Sequence, residues 1–320
     1  MAHSFDVAVI GGGPAGLTAA IWLARYLHSV VLIDSGDPRN WETRGVNGFL
    51  GLPHIEPPEL RSLGREECRY YGVELIDDIV TAARKHNDDD FLIELMGGES
   101  LRARRVLLAI GIRDIWPEVP GLEHTFGQNA HVCPDCDGYD ARGKKVVVIG
   151  NGRRAVGMAL NLTTWTREII ICTNGEPAAM DLPEYCEKLD ALNIPVLTEP
   201  ILRVVCDGPT IHSLELNDGM HLDAEKLFLA IGQFPADDAG TKLSLQLGCE
   251  RDEEGQIIVD AHYHTSVYNV YAAGDIVPGP QLAIAAASDG AIAALSIHKS
   301  LVPEARKLTP LERAAATSGA

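Results

Sequence analysis

Residues 131–137 read His-Val-Cys-Pro-Asp-Cys-Asp, and Cys133 and Cys136 stand at the spacing where two sulfurs either clip a metal or open and close a disulfide. Zinc held by thiolates needs four nitrogen or sulfur ligands, as a rule two such pairs. The chain has no second CxxC, and His124 and His131 bring no obvious fourth ligand. Asp135-x-Asp137-Gly138-x-Asp140 is acid-rich but lacks the glycine position and the terminal bidentate Glu of a calcium loop. A purely structural disulfide at this spacing would close only a small loop and stabilise little. A redox dithiol has a mechanism: thiolate attack opens and re-forms the bond, with one sulfur stabilised at a helix start. The other cysteines (Cys68, Cys172, Cys186, Cys206, Cys249) are scattered and bring the total to an odd seven. That argues for mostly inert buried thiols and one working pair, not for a disulfide framework.

Electrons exchanged at a dithiol need a carrier, and two segments have the pattern of a nucleotide-binding turn. Residues 5–34 give a short apolar strand, the turn Gly11-x-Gly13-x-x-Gly16, an apolar helix and a second strand ending at Asp34. Gly11 permits the tight turn, Gly13 lets the backbone approach a pyrophosphate, and Gly16 lets helix and strand pack closely. Free N–H groups at the helix start then face the phosphates, and Asp34 stands where an acid accepts from a ribose hydroxyl. The pattern recurs over 144–173 around Gly150-Asn151-Gly152, with Ala155 in the third small position. A second echo relates RRVLLAIGIRDIWP at 104–117 to EKLFLAIGQFPADD at 225–238, each a strand ending in Ala-Ile-Gly before a chain crossing. The chain therefore contains two similar dinucleotide-binding units. Between them a helix is expected near 58–71. Near the C-terminus a short strand, Gly274-Asp275 and a helix rich in Ala and Ser follow one another. Thr309-Pro310-Leu311-Glu312 is a capping-box signature that allows a short helix in the tail.

The bulk properties set the frame. A length of 320 residues fits roughly two domains, and 46% hydrophobic residues with mixed charges describe a globular chain. Net charge is −18, with 45 acids against 27 bases and no Lys/Arg cluster, so nucleic acid and anionic membrane are disfavoured as partners. Apolar runs such as VLLAIGI are too short to cross a bilayer. The first residues enter a strand directly without a leader-like segment, so a cytoplasmic location is expected.

GGGPAG at 11–16, CxxC-Asp-Gly before a second glycine turn, and YAAGD at 271–275 together resemble the low-molecular-weight thioredoxin reductases. The resemblance runs along nearly the whole chain in the same order. It implies an α/β fold of two Rossmann-like, three-layer domains, the second inserted in the first. The FAD-binding domain would be 1–116 plus 238–320, and the inserted NAD(P)H-binding-like domain 117–237 would carry the CxxC. A homodimer is implied, with a thioredoxin-like protein or a small disulfide or dithiol as partner. Carried over residue by residue, Gly11, Gly13 and Gly16 would hold the FAD pyrophosphate and Asp34 the adenosine ribose. Asn47, in VNGFLG, falls near the flavin, and the carboxylate of the Gly274-Asp275 pair contacts the FAD sugar chain. Gln281-Leu282-Ala283 stands where the family has Arg-Gln-Ala beside the flavin. Cys136 would meet the flavin, Cys133 would attack the substrate disulfide, and Asp137 would handle the thiol proton. His131 reads as a satisfied structural histidine.

The second unit departs from that pattern. NADPH-using relatives place a His-Arg-Arg cluster after the strand that here ends at Cys172-Thr173-Asn174, and NAD-users offer an acid to the ribose. From Gly175 to Glu187 the chain has Glu176, Asp181, Glu184 and Glu187 and no base. Without charge-assisted contacts to a 2′-phosphate, NADPH binding is expected to be weak or absent. Arg153 and Arg154 come too early in the turn to replace them. Three other electron routes follow from similar glycine turns: an oxygen-dependent dithiol oxidase, a ferredoxin-fed reductase, and a flavin redox sensor or scaffold without turnover. Acidic ferredoxin would be repelled at long range by a chain of charge −18.

Overall fold

The computed structural model describes residues 3–179, 183–236 and 240–307. The tail signature at Thr309–Glu312 lies outside them. Among the described residues, two parallel sheets dominate. The larger has seven strands and its parallel part is built from His3–Ile10, Val30–Asp34, Glu74–Asp77, Ser100–Leu108 and Val270–Ala272. His3–Ile10 lies between Val30–Asp34 and Ser100–Leu108, which is the strand order of a nucleotide-binding unit. The far edge of Ser100–Leu108 is shared: its first half pairs antiparallel with Asp90–Leu95, its second half parallel with Val270–Ala272. A strand from near the C-terminus thus completes a sheet begun at residue 3.

Val30–Asp34 is buried along its whole length because both faces are covered, which is why it reads as an unbroken apolar run. One face packs on the helices Pro14–Arg25 and Ala283–Leu301 through Leu23, Leu32, Leu107, Ala293 and Ile297. The other face packs on Leu243 and Leu247 of a short helix and on Phe91 and Ile93. The expected helix near 58–71 is Pro57–Tyr70, with proline at its first position.

The second parallel sheet orders Val196–Leu197, Ile169–Cys172, Val146–Gly150, Lys226–Ala230 and Ala130–His131. The helix Gly152–Leu162 covers one face through Val156, Ala159 and Leu162. An antiparallel sheet of Ile201–Asp207, Thr210–Leu216 and His221–Asp223 covers the other. Each unit is therefore three-layered. The two Ala-Ile-Gly echoes lead into Ile112–Asp114 and Gln233–Pro235, and these two crossings pair with each other antiparallel.

Glycines set the closest approaches. A Cβ on Gly16 would lie 1.9 Å from the Gly11 carbonyl oxygen, and one on Gly290 would lie 2.1 Å from that of Ala15. No rotamer relieves a clash between Cβ and backbone, so the helices would have to separate. Gly290→Ala is expected to lower stability by about 1–3 kcal/mol, as overpacking does. Gly157→Ala, on an exposed helix face with nothing within 4 Å of the added carbon, should be neutral or slightly stabilising by helix propensity. Thermal unfolding midpoints of the two variants test the contrast; equal midpoints would show that the helix crossing tolerates the added carbon.

Candidate active site

The parallel strands of the larger sheet end together, and the loops beyond their carboxyl ends enclose a cavity of about 470 Å³. Its wall includes Gly11–Gly13 after the first strand, Asp34 at the end of the second, Ala109 after Ser100–Leu108, and Gly274-Asp275 after Val270–Ala272. This is where open parallel sheets take ligands, and the volume is that of an ordinary small-molecule site. Of the residues singled out from sequence, Gly11, Gly13, Asp34, Asn47, Cys133, Cys136, Asp137, Gly274, Asp275, Gln281, Leu282 and Ala283 all line it. Gly16 does not; its work is the close packing of helix on turn.

The glycine turn leaves a cradle. Gly13 has nothing within 4 Å of where a Cβ would stand, and it caps a helix whose first N–H groups no side chain satisfies. Asp34, nearly buried, is held by Arg61, whose Nε lies 3.1 Å from Oδ2. Arg65 stands behind with Nη1 at 3.7 Å from the same oxygen, and that buried nitrogen has no hydrogen-bond partner.

The dithiol lies on the same cavity. Cys133 and Cys136 form a disulfide at the start of the short helix Pro134–Asp137. Cys133 Sγ accepts the Cys136 N–H at 3.1 Å, so this sulfur caps the helix. Asn47 donates to the Cys136 carbonyl at 3.0 Å and ties the turn to the loop beside it. Asn161 donates to Asp135 at 3.0 Å and ties the helix to Gly152–Leu162. Asp137 faces inward to His131, with Oδ2 at 3.3 Å from Nδ1. Among the other thiols, Cys68 is fully buried and burial pushes it up to about 12, while burial also raises Cys172 and Cys206.

Two polar residues of the cavity, Arg39 and Asp114, had no sequence signal. Arg39 grips Asp114 with two bonds of 2.8 and 2.7 Å and reaches Gln281 Oε1 at 3.1 Å. Gln233 joins Asp114 at 3.0 Å and accepts from Gln281 at 2.9 Å. Asp275 sits 3.5 Å from Arg39; burial pushes its carboxyl above the ordinary range, and the guanidinium opposes that rise. Gln281 thus occupies a polar network anchored on both chain crossings, since Asp114 and Gln233 belong to the paired strands there.

The second glycine turn is arranged differently. Asn151 Oδ1 accepts from Gly152 N and Ala179 N, both at 2.8 Å. Its amide donates to the Pro177 carbonyl at 2.8 Å and to Glu176 Oε2 at 3.3 Å. The turn's own side chain satisfies the helix start, and residues 176–179 fold over it, bringing an acid. Arg154 points away, to the Ile231 carbonyl at 3.1 Å and Glu254 at 3.4 Å.

Known proteins share this architecture. The model of the pyridine nucleotide-disulphide oxidoreductase family matches residues 5–290. The chain is 31% identical over 316 residues to a component of the alkyl hydroperoxide reductase of Pseudomonas putida, covering 94% of this chain but only 59% of that longer protein. It is 29% identical to thioredoxin reductase tcpT of Claviceps purpurea over 84% of this chain and 86% of that one. The crystal structure of HlmI superposes with a TM-score of 0.87 at 33% identity, covering 94% of each chain. With a match across almost its whole length, and with a dithiol placed against the dinucleotide cradle, the chain belongs to the pyridine nucleotide-disulphide oxidoreductase family and is thioredoxin reductase-like.

Proposed function

We propose that this protein is a FAD-dependent dithiol–disulfide oxidoreductase that passes electrons between flavin, the Cys133/Cys136 pair and a thioredoxin-like protein or small disulfide. One observation carries the reading: the CxxC disulfide and the open glycine cradle line a single cavity. The residues fit FAD. Gly13 leaves room for a pyrophosphate at uncapped helix N–H groups, and Asp34, held by Arg61, offers a polar partner to a ribose. Bound there, the flavin supplies two-electron exchange with a disulfide. Asp275 and the Arg39–Gln281 network would position the sugar chain. The division into 1–116 with 238–320 and 117–237 is supported by the sheets, which draw their strands from those segments.

The two sulfurs have separate environments. When the disulfide opens, Cys133 keeps the Cys136 N–H, and a hydrogen-bonded thiolate at a helix start is the form that attacks a substrate disulfide. Cys136, fixed through its carbonyl by Asn47, is the sulfur assigned to the flavin. Asp137, directly after it, takes or returns the thiol proton.

A second reading concerns the electron source. The closure of the second turn by Asn151 and residues 176–179 favours a dithiol oxidase over an NADPH-fed reductase. In that direction a substrate dithiol would lose two electrons and two protons to the Cys pair, and a bound flavin would supply the route by which dioxygen gains both to give hydrogen peroxide. Each missing charge-assisted bond to a 2′-phosphate forfeits about 1.5–3 kcal/mol, tenfold or more in affinity.

Purified protein is expected to absorb in the flavin bands; colourless protein that cannot be reconstituted with FAD would sink the main reading. Cys136→Ser should abolish electron exchange between flavin and added dithiols. Cys133→Ser should keep flavin and its direct chemical reduction but lose transfer to a disulfide. Loss of activity on replacing Cys68 or Cys172 instead would mean the wrong pair was assigned. In an anaerobic titration, dithiothreitol should bleach the flavin and NADPH should not. Rapid bleaching by NADPH, or micromolar NADPH affinity, would refute the oxidase reading and leave a reductase.

A further inference from the structure

Behind the dithiol stands a buried lysine that the fold does not explain. Lys226 opens the strand Lys226–Ala230, where every neighbour as far as Leu229 is an apolar core residue, and it is 8% exposed. Burying an ammonium costs several kcal/mol unless it is paired, and an aliphatic residue would complete this strand without that cost. Its Nζ reaches the Gln128 carbonyl at 3.3 Å and His131 Nε2 at 3.4 Å. His131, 5% exposed and against the Phe228 ring, faces Asp137 Oδ2 with its other nitrogen at 3.3 Å.

Donor and acceptor chemistry fixes how this row must be wired. A lysine ammonium only donates, so His131 Nε2 must accept, and the ring proton is left on Nδ1. Nδ1–H then faces the Asp137 carboxylate, 3.3 Å away. From this we infer that Lys226 and His131 are positioning residues for the redox dithiol: Lys226 holds His131 in its neutral Nδ1–H tautomer, and His131 orients the Asp137 carboxylate. This rests on the electron exchange proposed above.

The consequence is electrostatic. Oxidation of the dithiol to the disulfide releases two electrons and two protons. With a flavin held as proposed, the electrons and one proton would pass to it, and the Asp137 carboxylate would take the other proton on its way to solvent. An imidazolium at His131 would lock Asp137 into an ion pair and weaken it as a base. With Nε2 accepting from Lys226, the ring keeps its single proton on Nδ1, facing Asp137. The other charges around Lys226 are Asp137 and Asp140, which hold the ammonium in place, and Arg44 and Lys144, which oppose it; burial pulls its affinity for the proton down.

The test uses the full-length, flavin-loaded protein with K226M, K226R and H131N variants. Nitrogen-15 spectra identify the His131 ring by its loss in H131N. The unmodified protein and K226R should show the Nδ1–H tautomer of the His131 ring alone, and K226M a mixture of the two tautomers. Stopped-flow bleaching of the flavin by dithiothreitol should run at closely similar rates in the unmodified protein and in K226R and about tenfold more slowly in K226M. An Nε2–H tautomer in the unmodified protein would overturn the inference, as would a K226M tautomer and rate equal to those of the unmodified protein. Absence of bleaching at any pH, with the tautomer as expected, would overturn the proposed electron exchange and the positioning role with it.

Discussion

The close packing of two backbones near residue 15 is the contact on which the rest of the molecule depends. Gly16 lets the first helix sit on the carbonyl of Gly11, and Gly290 lets the long helix Ala283–Leu301 sit on the carbonyl of Ala15. Gly274, at φ +81, brings its turn against the Ala15 side chain. Segments from the two ends of the chain, more than 250 residues apart, therefore meet at one point. Their meeting places the glycine cradle, the Asp34 carboxylate and Gly274-Asp275 on one cavity. The cavity is a product of helix-to-helix distance, so its chemistry depends on side chains that are absent.

Much of this was legible because it is written in residues with few alternatives. Glycines at a strand–helix turn, a CxxC and a repeated Ala-Ile-Gly each restrict the backbone or the chemistry to a small set of outcomes. The paired crossings at Ile112–Asp114 and Gln233–Pro235 follow from the repeat in the same way. Lys226 was not legible, because a lysine opening the run KLFLAIG reads as a solvent-facing strand start. Only the fold shows it turned inward to His131, 95 positions earlier. Arg39 and Asp114 were hidden for the same reason: two charges 75 positions apart carry no spacing rule, and their pairing exists only once the loops are assembled. His131, read as structural, has a partner on each ring nitrogen, and that is the condition under which a histidine can also transmit orientation.

Charge is distributed with some economy in a chain of net charge −18. Among the described residues, seven carboxylates line the cavity, which would repel a phosphate-bearing ligand if left alone. Five of them face a cation or a histidine: Arg61 and Arg65 at Asp34, Arg113 at Asp37, Arg39 at Asp114 and Asp275, His131 at Asp137. Asp78 accepts from backbone N–H groups and Asp135 from Asn161. Partly buried pairs of this kind add little net stability, but they fix direction, and they offset much of the negative charge that the wall would otherwise turn toward an anionic ligand.

The two glycine turns are the same device in two states. In the first, Gly13 has no side chain, no side-chain cap stands over the helix start, and the N–H groups remain available. In the second, the corresponding region has Asn151, whose side-chain oxygen takes Gly152 N–H and reaches Ala179 N–H as well. A cap of this sort stabilises its helix by about 1 kcal/mol, and the same hydrogen bonds must be given up before a pyrophosphate can replace them. Glu176, drawn in by the Asn151 amide, adds a negative charge beside the turn. An asparagine in the glycine turn thus makes the helix more stable and occupies the N–H groups an anion would use. The same half of the fold holds the dithiol helix, tied to it through Asn161 and Asp135, so its helix Gly152–Leu162 has a positioning task whatever its turn binds.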